Sequence, residues 1–379
     1  MWSRVPRMGA MNTSMPDPAS ASCKQIQLQD KRLLAYAEYG DPQGKPVMLF
    51  HGTPGSRLFH HPDESIALSV GARVIVPDRP GFGLSDFKAR RYLLDWPDDV
   101  VQLADGLGID RFAVAGISGG GPYAVACALR IPHRLTRAAL ISSMSPLSLP
   151  GATDSMMWRN RLLFRLAQNS QMLTRLSWWI MGLAYRQDPH RFFRFETGLS
   201  SRTEREVINR PEVESVLIRD YGEALRAGVD GVAWETIILS QPWGFRLEDV
   251  ALETHLWHGE DDGRTPIAMG RYLAASIPNC RAAFLTSEGH EVFYNHWREI
   301  LCVLTPPEVR EEAVKEVTVE AQKKPRRRVT RRAPASANVG SADSAEPPSP
   351  RRPSKPRAVR TTRTKKQLTA AGSPSGSAS

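Results

Sequence analysis

Short apolar runs and longer stretches of helical period alternate along the first 145 residues. Val47–Phe50, Val74–Val76, Arg111–Ala115 and Ala138–Ser142 are brief and largely aliphatic. Runs of that kind predict strands buried on both faces of a parallel sheet. Gln25–Tyr39 instead alternates, which predicts two strands joined near Asp30-Lys31 at an antiparallel edge, with a turn at Gly40–Gly44. Asp95–Leu107 places Trp96, Val100, Leu103 and Leu107 on one helical face, and Pro122–Arg130 also reads as a helix.

The alternation stops at Pro146. From there to about Phe245 the pattern is helical and no strand is evident. Strand character returns at Leu252–His258, followed by a helix at Ile267–Ile277, a strand at Ala282–Thr286 and a helix at Val292–Leu304. Pro306-Pro307 then closes the pattern. The expected organisation is an α/β core from 24–145 and 247–305, with a helical layer at 146–246 inserted into it. Residues 1–23 are expected as a disordered extension, with Met8, Met11 and Met15 as alternative starts. Residues 306–322 are expected as a charged linker or helix, and 323–379 as a disordered basic tail.

Charge is divided unevenly between these parts. The 379 residues carry a net +10 and are 41% hydrophobic, ample for one large core. Residues 323–379 hold 15 Lys and Arg against 2 acids, which leaves 35 basic and 38 acidic residues before them. The body is therefore mildly acidic. The tail, rich in Pro, Ser, Ala and Arg, cannot bury a core. It has no aromatic residue to stack on bases, so the expectation is non-specific contact with nucleic acid or anionic membrane, or solubilisation alone. No stretch approaches the roughly 18 apolar residues of a membrane span. The first 23 residues lack the apolar block of a secretory signal. Four widely spaced cysteines without a Cys-x-x-Cys pair predict a reduced cytoplasmic protein, peripheral to membrane or nucleic acid at most through the tail.

The most specific motif is Gly116-Ile117-Ser118-Gly119-Gly120, set between an apolar strand and a helix. A serine on so tight a strand-to-helix turn is presented above the sheet as a nucleophile elbow. Three further motifs fall in order. They are His51-Gly52-Thr53-Pro54-Gly55, Asp78-Arg79-Pro80-Gly81-Phe82-Gly83-Leu84-Ser85, and His258-Gly259-Glu260-Asp261-Asp262, the last followed by Glu288-Gly289-His290. With these motifs the chain resembles the α/β-hydrolase superfamily from about Ile26 to about Leu304, in the chain order Ser…Asp…His.

The resemblance implies an α/β-hydrolase fold: a mostly parallel twisted sheet flanked by helices, with an inserted helical cap. It implies Ser118 as nucleophile, His290 as base and Asp262 as the acid that orients the histidine. Backbone N–H groups of Thr53 and Gly119 would form the oxyanion hole. Glu260, Asp261 and Asp262 are consecutive. The family spacing from Gly259 and to Pro266 selects Asp262 and leaves Asp261 a solvated neighbour. His51 and the Asp78-Arg79 pair are expected to fix loops, His60-His61 to lie on the surface, and His296 to be solvated. No nucleotide cofactor or metal is expected, because the glycine run has neither Walker nor dinucleotide spacing and no third metal ligand is spaced near His60-His61.

Residues 155–195 carry seven arginines and one acid, Asp188, with Leu173, Leu176, Ile180 and Leu183 at helical spacing. These four are expected to pack on the body and leave an arginine face in solvent. The alternative is a basic amphipathic lid that meets lipid or an anionic substrate. Tryptophans and methionines in this segment suggest an apolar pocket. The expected activity is a serine hydrolase acting on an ester, less readily a thioester or amide, of a mainly apolar small molecule. Dehalogenases and epoxide hydrolases of the superfamily carry Asp at the elbow, so Ser118 argues against both. The His-Gly-Thr-Pro-Gly loop also resembles that of proline aminopeptidases, which keeps a peptidase open. A non-hydrolytic ligand-binding protein docked by its tail is the remaining alternative.

Overall fold

The aliphatic runs pair into one eight-stranded sheet in a computed structural model that describes residues 23–149 and 151–306. The extension before Cys23, the stretch 307–322 and the tail 323–379 lie outside the described residues, and so do the expectations placed on them. The strands are β1 (Lys24–Gln27), β2 (Leu33–Gly40), β3 (Lys45–Phe50), β4 (Ala72–Pro77), β5 (Phe112–Ile117), β6 (Leu135–Ile141), β7 (Thr254–Gly259) and β8 (Cys280–Leu285). Their spatial order is β1-β2-β4-β3-β5-β6-β7-β8. β2 runs antiparallel to β1 and β4, and every other pair is parallel. The carboxyl ends of β3, β5, β6 and β7 therefore share one edge, where open α/β sheets bind ligands.

Helices α1 (Ser65–Ser69), α2 (Trp96–Gly106) and α3 (Gly121–Arg130) connect the first parallel strands. Six helices follow between β6 and β7: α4 (Trp158–Asn169), α5 (Gln171–Gln187), α6 (Pro189–Gly198), α7 (Arg202–Ile208), α8 (Pro211–Ala224) and α9 (Asp230–Ser240). They form the inserted cap. α10 (Ile267–Ser276) and α11 (Val292–Leu304) complete the fold.

Alternation along the central strands divides the core in two, as successive side chains point to opposite faces. Met48, Phe50 and Val114 pack on one side with α2 and α3, whereas Val47, Leu49 and Ala115 pack on the other with Phe293, Trp297 and Leu301 of α11. The sheet extends beyond the sequence expectation at two places. β6 begins at Leu135, where Arg137 reaches the carbonyl of Val303 and so satisfies a polar residue inside a strand. β8 begins at Cys280, paired with Thr254. It is an edge strand with exposed Arg281 and Ala282, so its apolar signal is weak at the start. Among the described residues no helix is long and apolar enough to cross a membrane.

Candidate active site

Ser118 follows β5 directly and holds φ +53°, a left-handed conformation that side-chain-bearing residues seldom adopt. Its neighbours explain how the turn is accommodated. A Cβ on Gly116 would stand 2.4 Å from the carbonyl oxygen of Gly120, and one on Gly120 would stand 2.2 Å from that of Phe50. Any side chain at either position would force β5, the turn and the end of β3 apart. The turn leads into α3 and leaves Ser118 partly exposed at the sheet edge.

Loops after β7 and β8 bring His290 and Asp262 to the same edge. Nδ1 of His290 lies 2.8 Å from Oδ2 of Asp262. The carboxylate is buried and further held by the N–H groups of Arg264 and Thr265, each 2.8 Å from Oδ1, and by the Thr265 hydroxyl, 2.7 Å from Oδ2. Burial works against its charge, but His290 and these donors outweigh it and hold the carboxyl below its ordinary range. Burial likewise works to lower the His290 pKa, and the Asp262 charge and hydrogen bond reverse this to a net rise. Glu204 of α7, fully buried, accepts the backbone N–H of His290 at 3.2 Å. Of the other two acids in the run, Asp261 is exposed and Glu260 faces Arg271.

Thr53 and Gly119 meet beside Ser118. A Cβ on Gly119 would come 2.3 Å from the Thr53 hydroxyl oxygen, and one on Gly52 would come 3.6 Å from the Ser118 Cβ. Ser118, Gly119, Thr53 and His290 line one cavity of about 180 Å³. Its far wall comes from the cap and includes Leu163, Trp178, Met181 and Phe193, with Arg159 and Arg264 at the polar side. Trp178 is buried and donates its indole N–H to the Thr236 hydroxyl. Trp179 does not line the cavity and is 44% exposed, so the two adjacent tryptophans have different surroundings.

The sequence reading missed what fixes the Thr53 loop. Glu235 of α9 is fully buried and accepts from Thr53 Oγ1 at 2.7 Å, Arg79 Nε at 3.1 Å, Arg91 Nη2 at 2.8 Å and the Tyr123 hydroxyl at 3.0 Å. Burial opposes its charge, but Arg79 and Arg91 prevail and bring its pKa down to about 2. Arg79 in turn donates to the carbonyls of His51 and Gly52, at 2.5 and 2.9 Å. A second cap carboxylate, Asp220 of α8, accepts the N–H and hydroxyl of Ser56, both at 2.7 Å. Arg57 bridges Asp78 and Glu223, at 2.9 and 2.6 Å. The cap thus grips the loop between Gly52 and Arg57 through buried carboxylates. One signal was present in the sequence: Glu235 is a lone acid in the apolar run Val232–Leu239, and a buried acid requires a cationic partner.

The remaining histidines differ in part from expectation. His51 is buried with Nδ1 2.8 Å from the Gly52 carbonyl, and burial with the nearby Arg79 lowers its pKa well below the ordinary value. His60 and His61 are half-buried rather than free on the surface. His60 stacks on Tyr39 with ring centroids 4.5 Å apart, and Nε2 of His61 lies 3.0 Å from the Tyr294 carbonyl. His296 sits partly buried between Glu288 and Glu299, 3.4 Å from each.

Residues 45–296 match the family model described as alpha/beta hydrolase fold. The 2-hydroxymuconate semialdehyde hydrolase of Pseudomonas putida is 27% identical over 67% of this chain and 83% of that protein. The proline iminopeptidase of Xylella fastidiosa is 32% identical, over 34% of this chain and 42% of that protein. Among solved structures, a hydrolase from Pseudomonas aeruginosa superposes with a TM-score of 0.56 at 19% identity, covering 76% of this chain and 99% of that one.

Proposed function

The chain belongs to the α/β-hydrolase fold family, and from that premise we propose that it is a serine hydrolase acting on esters of mainly apolar acyl groups. The observation that carries the proposal is His290, held 2.8 Å from Asp262 and lining with the elbow serine a cavity whose cap wall is largely apolar. In this reading Ser118 attacks the carbonyl while Nε2 of His290 takes its proton. Asp262 holds the required tautomer and stabilises the imidazolium. The N–H groups of Thr53 and Gly119 receive the developing oxyanion, in a loop already held rigid by Glu235 and Arg79. His290 returns the proton to the leaving alcohol. Water, activated by the same histidine, then clears the acyl-enzyme.

An ester suits the cavity better than an N-terminal peptide. An aminopeptidase must hold a buried ammonium against a free carboxylate. Here Glu196 is paired with Arg159, Glu291 with Arg264 at 3.6 Å, and Asp220 is occupied by Ser56. Burial also pushes the Asp220 carboxyl up to about 8.

A panel of aryl esters graded in acyl length tests the proposal. Trp178→Leu should change the ratio of kcat/KM between long and short acyl chains by on the order of 10-fold, because the acyl group would lie on that ring. Trp179→Ser should leave the ratio unchanged. Equal losses on all chain lengths in folded Trp178→Leu protein would remove Trp178 from the acyl site.

The pH profile supplies a second check. The base must be neutral to accept a proton, so kcat/KM should rise with pH through the pKa of His290. That value is raised, so the midpoint should lie above the ordinary 6.5. Asp262→Asn removes the charge that raises it and should move the residual limb to lower pH. A wild-type midpoint below 6.5 would contradict the His290–Asp262 assignment.

A further inference from the structure

Helix α5 is apolar on two faces, and only one of them is used. Thr174, Trp178, Gly182 and Tyr185 are buried against the rest of the cap. On the other face Met172, Leu173, Leu176, Trp179, Ile180 and Leu183 are 75, 40, 47, 44, 54 and 43% exposed. At about 100° per residue these six fall in a sector roughly 120° wide, a continuous stripe along the helix. This overturns the expectation that Leu173, Leu176, Ile180 and Leu183 pack on the body. The helices packed against α5 add exposed Leu162 from α4 and Phe195 from α6.

The charges around the stripe are mainly basic. Arg175, paired with Asp230 at 2.6 Å, and Arg186 lie on the same helix at one border of the sector. Arg165, Arg186, Arg191 and Arg194 are exposed, and none of them enters a salt bridge with a described residue. The acids of this region are already engaged: Asp188 caps α6 by accepting the Arg191 N–H, and Glu196 pairs with Arg159. An apolar stripe beside unpaired arginines calls for a partner that is apolar within and anionic at its surface. A second copy of the chain fits poorly, since a symmetric pairing of α5 would set its arginine border, where Asp230 answers only Arg175, against an identical one.

We propose that this face of α5 docks on an anionic lipid surface. The helix would lie in the plane of the interface, with its five aliphatic and methionine side chains among the upper acyl chains and Trp179 at their boundary with the headgroups. The arginines would extend to lipid phosphates. Trp178 and Met181, on the inner side of the same helix, line the cavity that holds Ser118. Docking would therefore set one wall of that cavity against the membrane.

The test uses the full chain and vesicles of phosphatidylcholine and phosphatidylglycerol whose acyl chains carry bromine, which quenches tryptophan on contact. Residues 307–379 contain no tryptophan, so adhesion through the basic tail gives no quenching. Wild-type protein should be quenched, and more weakly on pure phosphatidylcholine. Ile180→Glu/Leu183→Glu should lower partitioning by about 10-fold or more, since two apolar anchors become anions beside anionic lipid. Both sites are exposed, so the circular dichroism spectrum and thermal midpoint should be retained. Absence of quenching in the wild type would overturn the proposal, as would equal quenching in the double variant. So would a wild-type dimer that this variant dissociates while its vesicle binding stays unchanged, because a second copy would then cover the stripe.

Discussion

Ser118→Ala and His290→Ala should each lower kcat/KM on a soluble ester by a factor on the order of 10⁴ or more, and the double variant should lose little beyond either. The non-additivity is the informative part, because a nucleophile and its base act as one device and removing one idles the other. Asp262→Asn should also be severe. An amide cannot hold the tautomer that leaves Nε2 free to accept the serine proton. Asp261→Asn should be mild, since that side chain is exposed while Asp262 sits 2.8 Å from His290. Steady-state kinetics with a circular dichroism check decides the matter. Greater damage from Asp261→Asn than from Asp262→Asn would move the acid to the neighbouring residue.

The second large effect is expected at Glu235. Its removal leaves Arg79 and Arg91 buried without their counter-charge, and breaking a buried ion pair from one side costs about 3–5 kcal/mol. Against a total stability of roughly 5–15 kcal/mol, Glu235→Ala should bring the chain close to its unfolding threshold, read as a large fall in denaturation midpoint. Glu235→Gln loses the charge but keeps the shape and an acceptor, and should fold with a smaller fall in midpoint than Glu235→Ala. Its kcat should nevertheless fall by on the order of 10², because Arg79 would no longer be aimed at the His51 and Gly52 carbonyls and the Thr53 N–H would drift. KM should move much less, because Glu235 is not among the residues that line the cavity. A folded Glu235→Gln protein with unchanged kcat would limit the network to a structural role.

These two predictions differ in how far the sequence foretold them. The elbow was legible because its demands are local. Gly116 and Gly120 are required by backbone atoms within a few residues or on the adjacent strand, and that requirement is written in residue type. Asp262 was legible through its spacing from Gly259 and Pro266. The Glu235 network was not, because its partners are brought together by the cap and lie as far as 182 residues away in the chain. Charge pairing of that kind leaves no periodic trace.

Helix α5 was misread for a different reason. Its buried face carries Thr174 and Gly182, whereas its exposed face carries five aliphatic or methionine side chains and a tryptophan. Apolar periodicity reports which residues share a face, but here the more apolar face is the one turned away from the core. The edge strand β8 shows the milder form of the same effect, with exposed positions that dilute its pattern.

The most direct test of the hydrolase reading is covalent. The full chain is treated with a fluorophosphonate, digested, and the adduct located by mass spectrometry. One phosphonyl group should appear on Ser118, and His290→Ala protein should label far more slowly because the serine has lost its base. Folded wild-type protein that remains unlabelled, or that labels at another serine, would contradict the assignment of Ser118 as the nucleophile.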